Sequence, residues 1–199
     1  MIEADALSKM WSADAGLRPV SFTVAAGELV VVRGRSGSGK STLLAVLAGL
    51  CVPDSGAASV AGHAPHPDAP WSRLAIVPQV LGLAPELTIE ENVTDAIGGR
   101  RAGVALGDLF ERLDLAALAD RGLDQVSMGQ QQRAAVARAV AVVPKVLLVD
   151  EPTSYQDGRH AEAVVAELRR AAVAGAAVLA ATHDELVTAA ADRVLELTT

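Results

Sequence analysis

Aromatic residues and cysteines are both scarce in this sequence. Only 3% of the 199 residues are aromatic, whereas 51% are hydrophobic, so a mainly aliphatic core is expected. The single cysteine, Cys51, cannot form an intrachain disulfide, which argues against a small secreted fold held together by such bonds. We interpret Cys51 as a packing residue. The length suits one domain with a substantial core.

Positive charge and long apolar runs are also lacking. The formal net charge is −7 and no lysine-rich tract is present, which argues against nucleic acid as a partner, because such proteins need basic patches. Residues 1–5 are acidic, so we expect no signal peptide there. The best candidate for a membrane span, 171–182, is too short to cross a bilayer. We therefore expect a cytoplasmic protein that reaches a membrane only through a partner chain.

The most informative segment is 34–42, which fits the pattern Gly-x-x-x-x-Gly-Lys-Ser. Glycines let a loop close around an anion because no Cβ blocks the approach, and the helix that follows adds its positive end. An apolar run at 28–33 predicts a strand before the loop, and 41–49 predicts a helix after it. Lys40 is expected to reach the β- and γ-phosphates, and the Ser41 hydroxyl to bind Mg²⁺. The residues expected to bind nucleotide here are Gly34, Arg35, Ser36, Gly37, Ser38, Gly39, Lys40, Ser41 and Thr42.

Polar residues also follow three other apolar runs that predict strands. Gln79 follows the first run, Asp150 and Glu151 the second, and His183 the third, and the runs are 74–78, 145–149 and 177–181. Ligands of open α/β sheets gather at the carboxyl ends of the strands, so we expect these side chains beside the phosphate loop. Adjacent carboxylates are costly without a cation, so Asp150 is expected to hold Mg²⁺, directly or through water, and Glu151 to orient or deprotonate a water. The alternatives are a solvated acidic turn and a structural histidine.

The remaining patterns place further strands and a helical segment. Runs at 2–10, 20–24, 57–60 and 193–197 predict strands. Between 80 and 126 there is no strand pattern; Thr88 and Glu91 form a capping box, and short helices are expected at 106–113 and 115–118. Ser127 is expected to cap a long helix that continues to 142, which offers a second anion site. We therefore expect a helical subdomain, about 80–142, inserted in the core.

Taken in order, these elements resemble the nucleotide-binding subunit of an ATP-binding-cassette (ABC) system over essentially the whole chain. The segment 34–42 is similar to the family's Walker A, 146–151 to its Walker B with the catalytic glutamate, and 126–130 to its signature. The resemblance implies an α/β fold: a P-loop NTPase core with a mostly parallel sheet flanked by helices, a small antiparallel part near the N-terminus, and a short helical insertion. It also implies ATP and Mg²⁺ as ligands.

The resemblance assigns roles to individual residues. Trp11, which lies in a polar segment where it is either a base-stacking platform or a partly buried anchor, takes the position of the aromatic that stacks on adenine. The implied catalytic residues are Glu151, His183, Lys40 and Gln79, and the implied Mg²⁺ ligands are Ser41, Gln79 and Asp150. A second subunit's γ-phosphate would face the signature residues Ser127, Met128, Gly129 and Gln130, and the dimer loop would include Ser154 and Asp157.

Two segments depart from the family pattern. Met128 replaces the first glycine of Leu-Ser-Gly-Gly-Gln, and Tyr155 and Gln156 replace the Ala-Leu of Ser-Ala-Leu-Asp after Walker B. A side chain at Met128 is expected to crowd the site shared by two subunits and to slow turnover. The second departure bears on communication between the two ATP sites rather than on ATP binding.

The resemblance implies two subunits, as a homodimer or a paired ABC subunit, that close head to tail on ATP and drive a separate transmembrane permease. The chain would then be cytoplasmic and peripheral on the inner face of the membrane. The short helical part and the segment 87–93 resemble subunits of the lipoprotein-release and macrolide-export class. The alternative is a soluble ABC ATPase acting on nucleic acid or translation, a group that generally carries tandem cassettes, coiled coils or basic extensions.

Overall fold

The computed structural model describes residues 1–13, 15–98 and 104–198. Within these ranges the chain forms eight strands and six α-helices. The strands are β1 (Ile2–Met10), β2 (Gly16–Val24), β3 (Leu29–Arg33), β4 (Ser55–Val60), β5 (Leu74–Val77), β6 (Val146–Asp150), β7 (Ala177–Ala181) and β8 (Arg193–Glu196). The helices are α1 (Lys40–Leu47), α2 (Ile89–Asp95), α3 (Leu106–Arg112), α4 (Met128–Ala141), α5 (Gly158–Val173) and α6 (Glu185–Ala190).

A five-stranded parallel sheet forms the centre, in the order β5-β6-β7-β3-β8. Every residue of β6 and β7 is buried, because helices cover both faces and leave no side for water. One apolar cluster occupies each face of the sheet, and α1 packs in the cluster opposite to that of α4 and α5. The parallel direction of all five strands places their carboxyl ends at one edge.

A three-stranded antiparallel sheet, in the order β2-β1-β4, lies beside this core. Both sheet expectations are therefore confirmed, although β2 begins at Gly16 rather than at residue 20. Arg18 and Pro19 in its first half break the alternating pattern in the sequence. Pro19 is compatible with the strand because β2 is an edge strand, which leaves one side without a ladder.

In its described residues, the segment between β5 and α4 contains helices and no strand, as predicted. The capping box at the start of α2 is present, with the Thr88 hydroxyl accepting from the Glu91 amide and the Glu91 carboxylate accepting from the Thr88 amide. The predicted helix at 115–118 is a single 3₁₀ turn at Ala116–Leu118, and another such turn lies at Leu123–Gln125. The interpretation of about 80–142 as a separate subdomain stays a prediction. The buried apolar residues of this segment belong to the same cluster as one face of the parallel sheet. Among the described residues, no helix has both the length and the apolar character to cross a bilayer.

Candidate active site

The carboxyl edge of the parallel sheet opens into a cavity of about 420 Å³. Its wall combines one turn near the N-terminus, the glycine-rich loop with the start of α1, and the residues that follow three strands. The lining residues are Trp11, Ala15, Gly16, Ser36, Gly37, Gly39, Lys40, Ser41, Thr42, Gln79, Asp150, Glu151 and His183. The structure thus brings together the side chains that the sequence places after separate strands.

The glycine-rich loop owes its shape to positions where a side chain does not fit. Gly39 has a φ of +93°, and a Cβ there would lie 2.6 Å from the Leu17 Cα of β2. At the other end of the loop, a Cβ on Gly34 would lie 2.5 Å from the Ser38 hydroxyl oxygen. Six residues of 34–42 line the cavity, whereas Gly34, Arg35 and Ser38 are not part of its wall.

Lys40 is the lysine among the residues that line the cavity. Its Nζ donates to the Gly34 carbonyl at 2.8 Å and lies 3.0 Å from the Nε2 atom of His183. An ammonium group can only donate, so in this hydrogen bond the Lys40 Nζ is the donor and the His183 Nε2 the acceptor. The lysine and the histidine are therefore held together at the point where the loop meets the end of β7.

Asp150 and Glu151 have different environments although they are adjacent. Asp150 is 6% exposed, and burial raises the pKa of its carboxyl, while a hydrogen bond from Ser41 opposes that shift. Glu151 has a φ of +46°, and its carboxylate accepts from the Thr182 hydroxyl at 2.9 Å. Its amide also donates to the Ala181 carbonyl at 2.8 Å. The strained backbone and the threonine together fix where the Glu151 carboxylate points.

Gln79 is exposed and lines the cavity, at the start of a loop that α4 holds in place. Arg138 of α4 donates to the carbonyls of Leu81 and Gly82 at 2.7 and 2.6 Å. The same guanidinium lies 5.0 Å from the centre of the Trp71 ring, a cation–π distance. The position of Gln79 therefore depends on a helix whose start carries the signature.

Trp11 lies in the turn between β1 and β2 and is 62% exposed, and its role stays a prediction. Its indole Nε1 donates to the Thr42 hydroxyl at 3.0 Å, and the Lys9 Nζ lies 5.2 Å from the ring centre. The ring is thus fixed at its edge to α1 and leaves apolar surface toward the cavity that it lines.

The start of α4 is the second predicted anion site, but its residues do not line this cavity. Ser127 and Gln130 form a reciprocal capping box at 3.3 and 2.8 Å, which confirms Ser127 as the N-cap. Met128 is 48% exposed. Asp157 caps α5 by accepting from the His160 amide at 3.1 Å, and the Ser154 amide donates to the Glu151 carbonyl at 3.1 Å.

A parallel sheet that carries a glycine-rich phosphate loop before its first helix, with an acidic pair at the same edge, defines the class of P-loop nucleotide-binding proteins. Comparison with known families narrows the class. The family model described as "ABC transporter" matches residues 17–154. The chain belongs to the ABC transporter family.

Relatives and solved structures agree with this family. An uncharacterized ABC transporter ATP-binding protein of Mycobacterium tuberculosis is 38% identical over 94% of this chain and 62% of its own length. The lipoprotein-releasing system ATP-binding protein LolD of Maricaulis maris is 37% identical over 98% of this chain and 93% of its own length. A dimeric ATP-binding cassette in a post-hydrolysis state, bound to ADP and Pi, has a TM-score of 0.85 at 27% identity and covers 100% of this chain and 94% of its own. The chain thus spans less than two thirds of the mycobacterial relative.

Proposed function

We propose that this chain is the ATP-binding and ATP-hydrolysing subunit of an ABC transporter or of a related membrane complex. The observation that carries the proposal is the single cavity that holds Lys40, Ser41, Asp150, Glu151 and His183 between the phosphate loop and three strand ends. Its volume of about 420 Å³ lies within the range of small-molecule sites. Both cationic and acidic groups converge there, as phosphoryl transfer requires.

The phosphate loop would bind the β- and γ-phosphates through backbone amides, the start of α1 and Lys40. Lys40 Nζ now bonds to the Gly34 carbonyl oxygen and to the His183 Nε2 atom. Phosphate oxygens are stronger acceptors because they are charged, so the ammonium group would exchange these partners for phosphate. His183 would stay within reach of the γ-phosphate and stabilise charge there.

The residues Ser41, Gln79 and Asp150 fit the Mg²⁺ site that the resemblance implies. They offer a hydroxyl, a carboxamide and a carboxylate, which is the hard oxygen set that Mg²⁺ prefers. Burial raises the pKa of Asp150, and a bound cation would oppose that shift by favouring the carboxylate form. The described residues contain no cluster of three His, Cys, Asp or Glu, and Mg²⁺ beside a nucleotide needs only one or two carboxylates. Bound there, Mg²⁺ supplies charge neutralisation for the phosphate oxygens.

Glu151 would position and activate the attacking water. Its carboxylate has one oxygen held by Thr182 and lines the cavity next to Asp150, so the other oxygen is available to accept a proton. The hydrogen bond and the fixed backbone reduce the number of orientations that the carboxylate can adopt, and orientation is a large part of general-base efficiency.

A second subunit would complete the site. The α4 N-terminus is a helix end of the kind that binds anions, but it does not line the cavity of its own chain. A head-to-tail pair would bring it to the γ-phosphate of the other copy, and the similarity to a dimeric cassette supports that arrangement. The other subunit would be an identical copy or a paired ABC subunit.

A transmembrane permease is the proposed partner, which would make the chain peripheral on the inner face of a membrane. Similarity to a lipoprotein-releasing ATP-binding protein supports this choice over nucleic acid, as does the net charge of −7. Affinity purification of the tagged chain from native membranes tests it. A multi-span membrane protein should co-purify, whereas recovery with RNA or ribosomes instead would favour the alternative.

Removing the Trp11 ring should weaken nucleotide binding if adenine stacks on it. We expect Trp11→Ala to cost about 1–3 kcal/mol of binding free energy, the size of one base-stacking contact. Trp11→Phe is the matched variant, because it keeps an aromatic face but loses the hydrogen bond to Thr42. Calorimetric titration with ATP measures both. If the alanine variant binds ATP as tightly as the wild type, Trp11 does not contact the nucleotide.

Replacing Met128 by glycine should raise basal hydrolysis. Met128 is half-exposed at the first position of α4, where a second copy's γ-phosphate would approach. Overpacking of this kind costs about 1–3 kcal/mol, so we expect the isolated chain to be largely monomeric with slow turnover. Steady-state hydrolysis against protein concentration measures the effect. If glycine changes neither the rate nor its concentration dependence, the methionine is accommodated without strain.

A further inference from the structure

Gln156 is a half-buried residue in the loop after Glu151, and its carboxamide makes three hydrogen bonds. Its Nε2 donates to the Gly129 carbonyl at 2.8 Å and lies 3.4 Å from the Ser154 carbonyl. Its Oε1 accepts from an Nη1 of Arg133 at 3.0 Å. One side chain therefore bridges the loop and the first two turns of α4.

The partners on α4 are themselves fixed. Gly129 is buried, and a Cβ there would lie only 2.5 Å from the Tyr155 carbonyl oxygen, so the helix and the loop backbone are in direct contact. Arg133 is 4% exposed, and its Nε donates to the Leu113 carbonyl at 2.7 Å. Movement of Gln156 relative to α4 would therefore disturb the contact between the loop backbone and the helix.

The other end of the loop is tied to the cavity. The Ser154 amide donates to the Glu151 carbonyl at 3.1 Å, and the Thr153 hydroxyl donates to Asp184 at 2.6 Å. Gln132 of α4 also reaches the Glu151 carbonyl, at 3.4 Å. The segment 151–156 is thus a short, hydrogen-bonded connection from the Glu151 backbone, which borders the cavity, to the start of α4.

We infer that Gln156 is a positioning residue, which transmits the nucleotide state of its own cavity to the N-terminus of α4 through the hydrogen bond to the Gly129 carbonyl. The inference rests on the proposed function, because that N-terminus would contact the ATP of a second copy. A leucine, common at this position in the pattern that the chain resembles, makes none of the three hydrogen bonds. The substitution therefore gives this chain a polar link between its two nucleotide-facing surfaces.

Hydrogen exchange in the monomer isolates this coupling from dimer contacts. The wild type is diluted until sizing shows a single copy, and exchange is followed with and without a non-hydrolysable ATP analogue. We expect the analogue to slow exchange several-fold both in the peptide 34–42, which reports binding, and in the peptide 126–133 at the start of α4. Gln156→Leu should keep the first response and lose the second.

Gln156→Glu is the matched variant, because its carboxylate still accepts from Arg133 but cannot donate to the Gly129 carbonyl. Loss of the response in 126–133 for both variants, with 34–42 still protected, supports the inference. A wild type without that response, or a response retained in either variant, overturns it while leaving ATP binding intact. If 34–42 is not protected in the wild type, the proposed function fails, and the inference with it. A variant that had only lost stability would show faster exchange in both peptides, not a change confined to 126–133.

Discussion

Replacing Glu151 by glutamine should leave ATP binding intact and slow hydrolysis by roughly 10²-fold or more, the contribution of a positioned general base. Glutamine has the same shape as glutamate, and its amide can still pair with the Thr182 hydroxyl that now holds the carboxylate. It cannot take a proton from water. With Asp150 and Lys40 unchanged, bound ATP should persist and hold two copies together. Phosphate release measures the rate, and sizing chromatography with Mg-ATP measures the dimer.

Glu185→Gln is the control for this substitution. Glu185 begins α6 and pairs with Arg33 at 2.7 Å on the exposed surface, outside the cavity lining. Exposed ion pairs contribute little to stability, so hydrolysis should stay at the wild-type rate. A Glu151→Gln protein that remains monomeric with ATP and hydrolyses it at the wild-type rate would remove Glu151 from its assigned role.

Replacing Lys40 by alanine should weaken ATP binding by about 10- to 100-fold, because hydrogen bonds to charged groups contribute about 1.5–3 kcal/mol. Alanine is a strong helix former and Lys40 is the first residue of α1, so the fold should persist. In the wild type, Lys40 also forms a hydrogen bond with the His183 Nε2, and the substitution would remove this partner. Calorimetric titration with Mg-ATP gives the affinity.

Lys145→Ala provides the comparison, since Lys145 is exposed in the turn before β6 and lies outside the cavity lining. Its removal changes the net charge by the same amount as removal of Lys40. Equal loss of affinity in the two variants would mean that Lys40 acts only through overall charge and does not touch the phosphates.

The sequence predicts the central sheet well, because buried parallel strands are continuous apolar runs. The run 177–181 is β7 residue for residue, and every residue of it is buried. Strands at the edge of a sheet are harder to predict, because they are less buried and therefore contain fewer apolar residues. In β2 the first half carries Arg18 and Pro19, which an edge strand tolerates and a central strand does not.

The phosphate loop is predictable from sequence because all its residues are local. The groups that orient the site are not, because they come from distant segments. Thr182 meets Glu151 across 31 positions and Arg138 meets Leu81 across 57, and neither contact follows from any local pattern. The one available signal for Gln156 was its departure from Ser-Ala-Leu-Asp, which marked the position without indicating its partners on α4.

The central claim is that each ATP is held between the phosphate loop of one copy and the start of α4 of another. Mixing two inactive variants tests it. Lys40→Ala disables the loop. Met128→Glu places a negative charge where the γ-phosphate would approach, yet an acidic residue in the first turn favours the helix, and Met128→Gln is its neutral control.

In a head-to-tail pair of these two variants, one site contains both defects and the other contains none. Steady-state ATP hydrolysis is therefore measured for each variant alone and for their equimolar mixture. We predict near-zero rates for each variant and recovery in the mixture of up to about one quarter of the wild-type rate, the fraction of intact sites under random pairing in a two-fold assembly. A mixture no more active than the sum of its components would contradict the shared site.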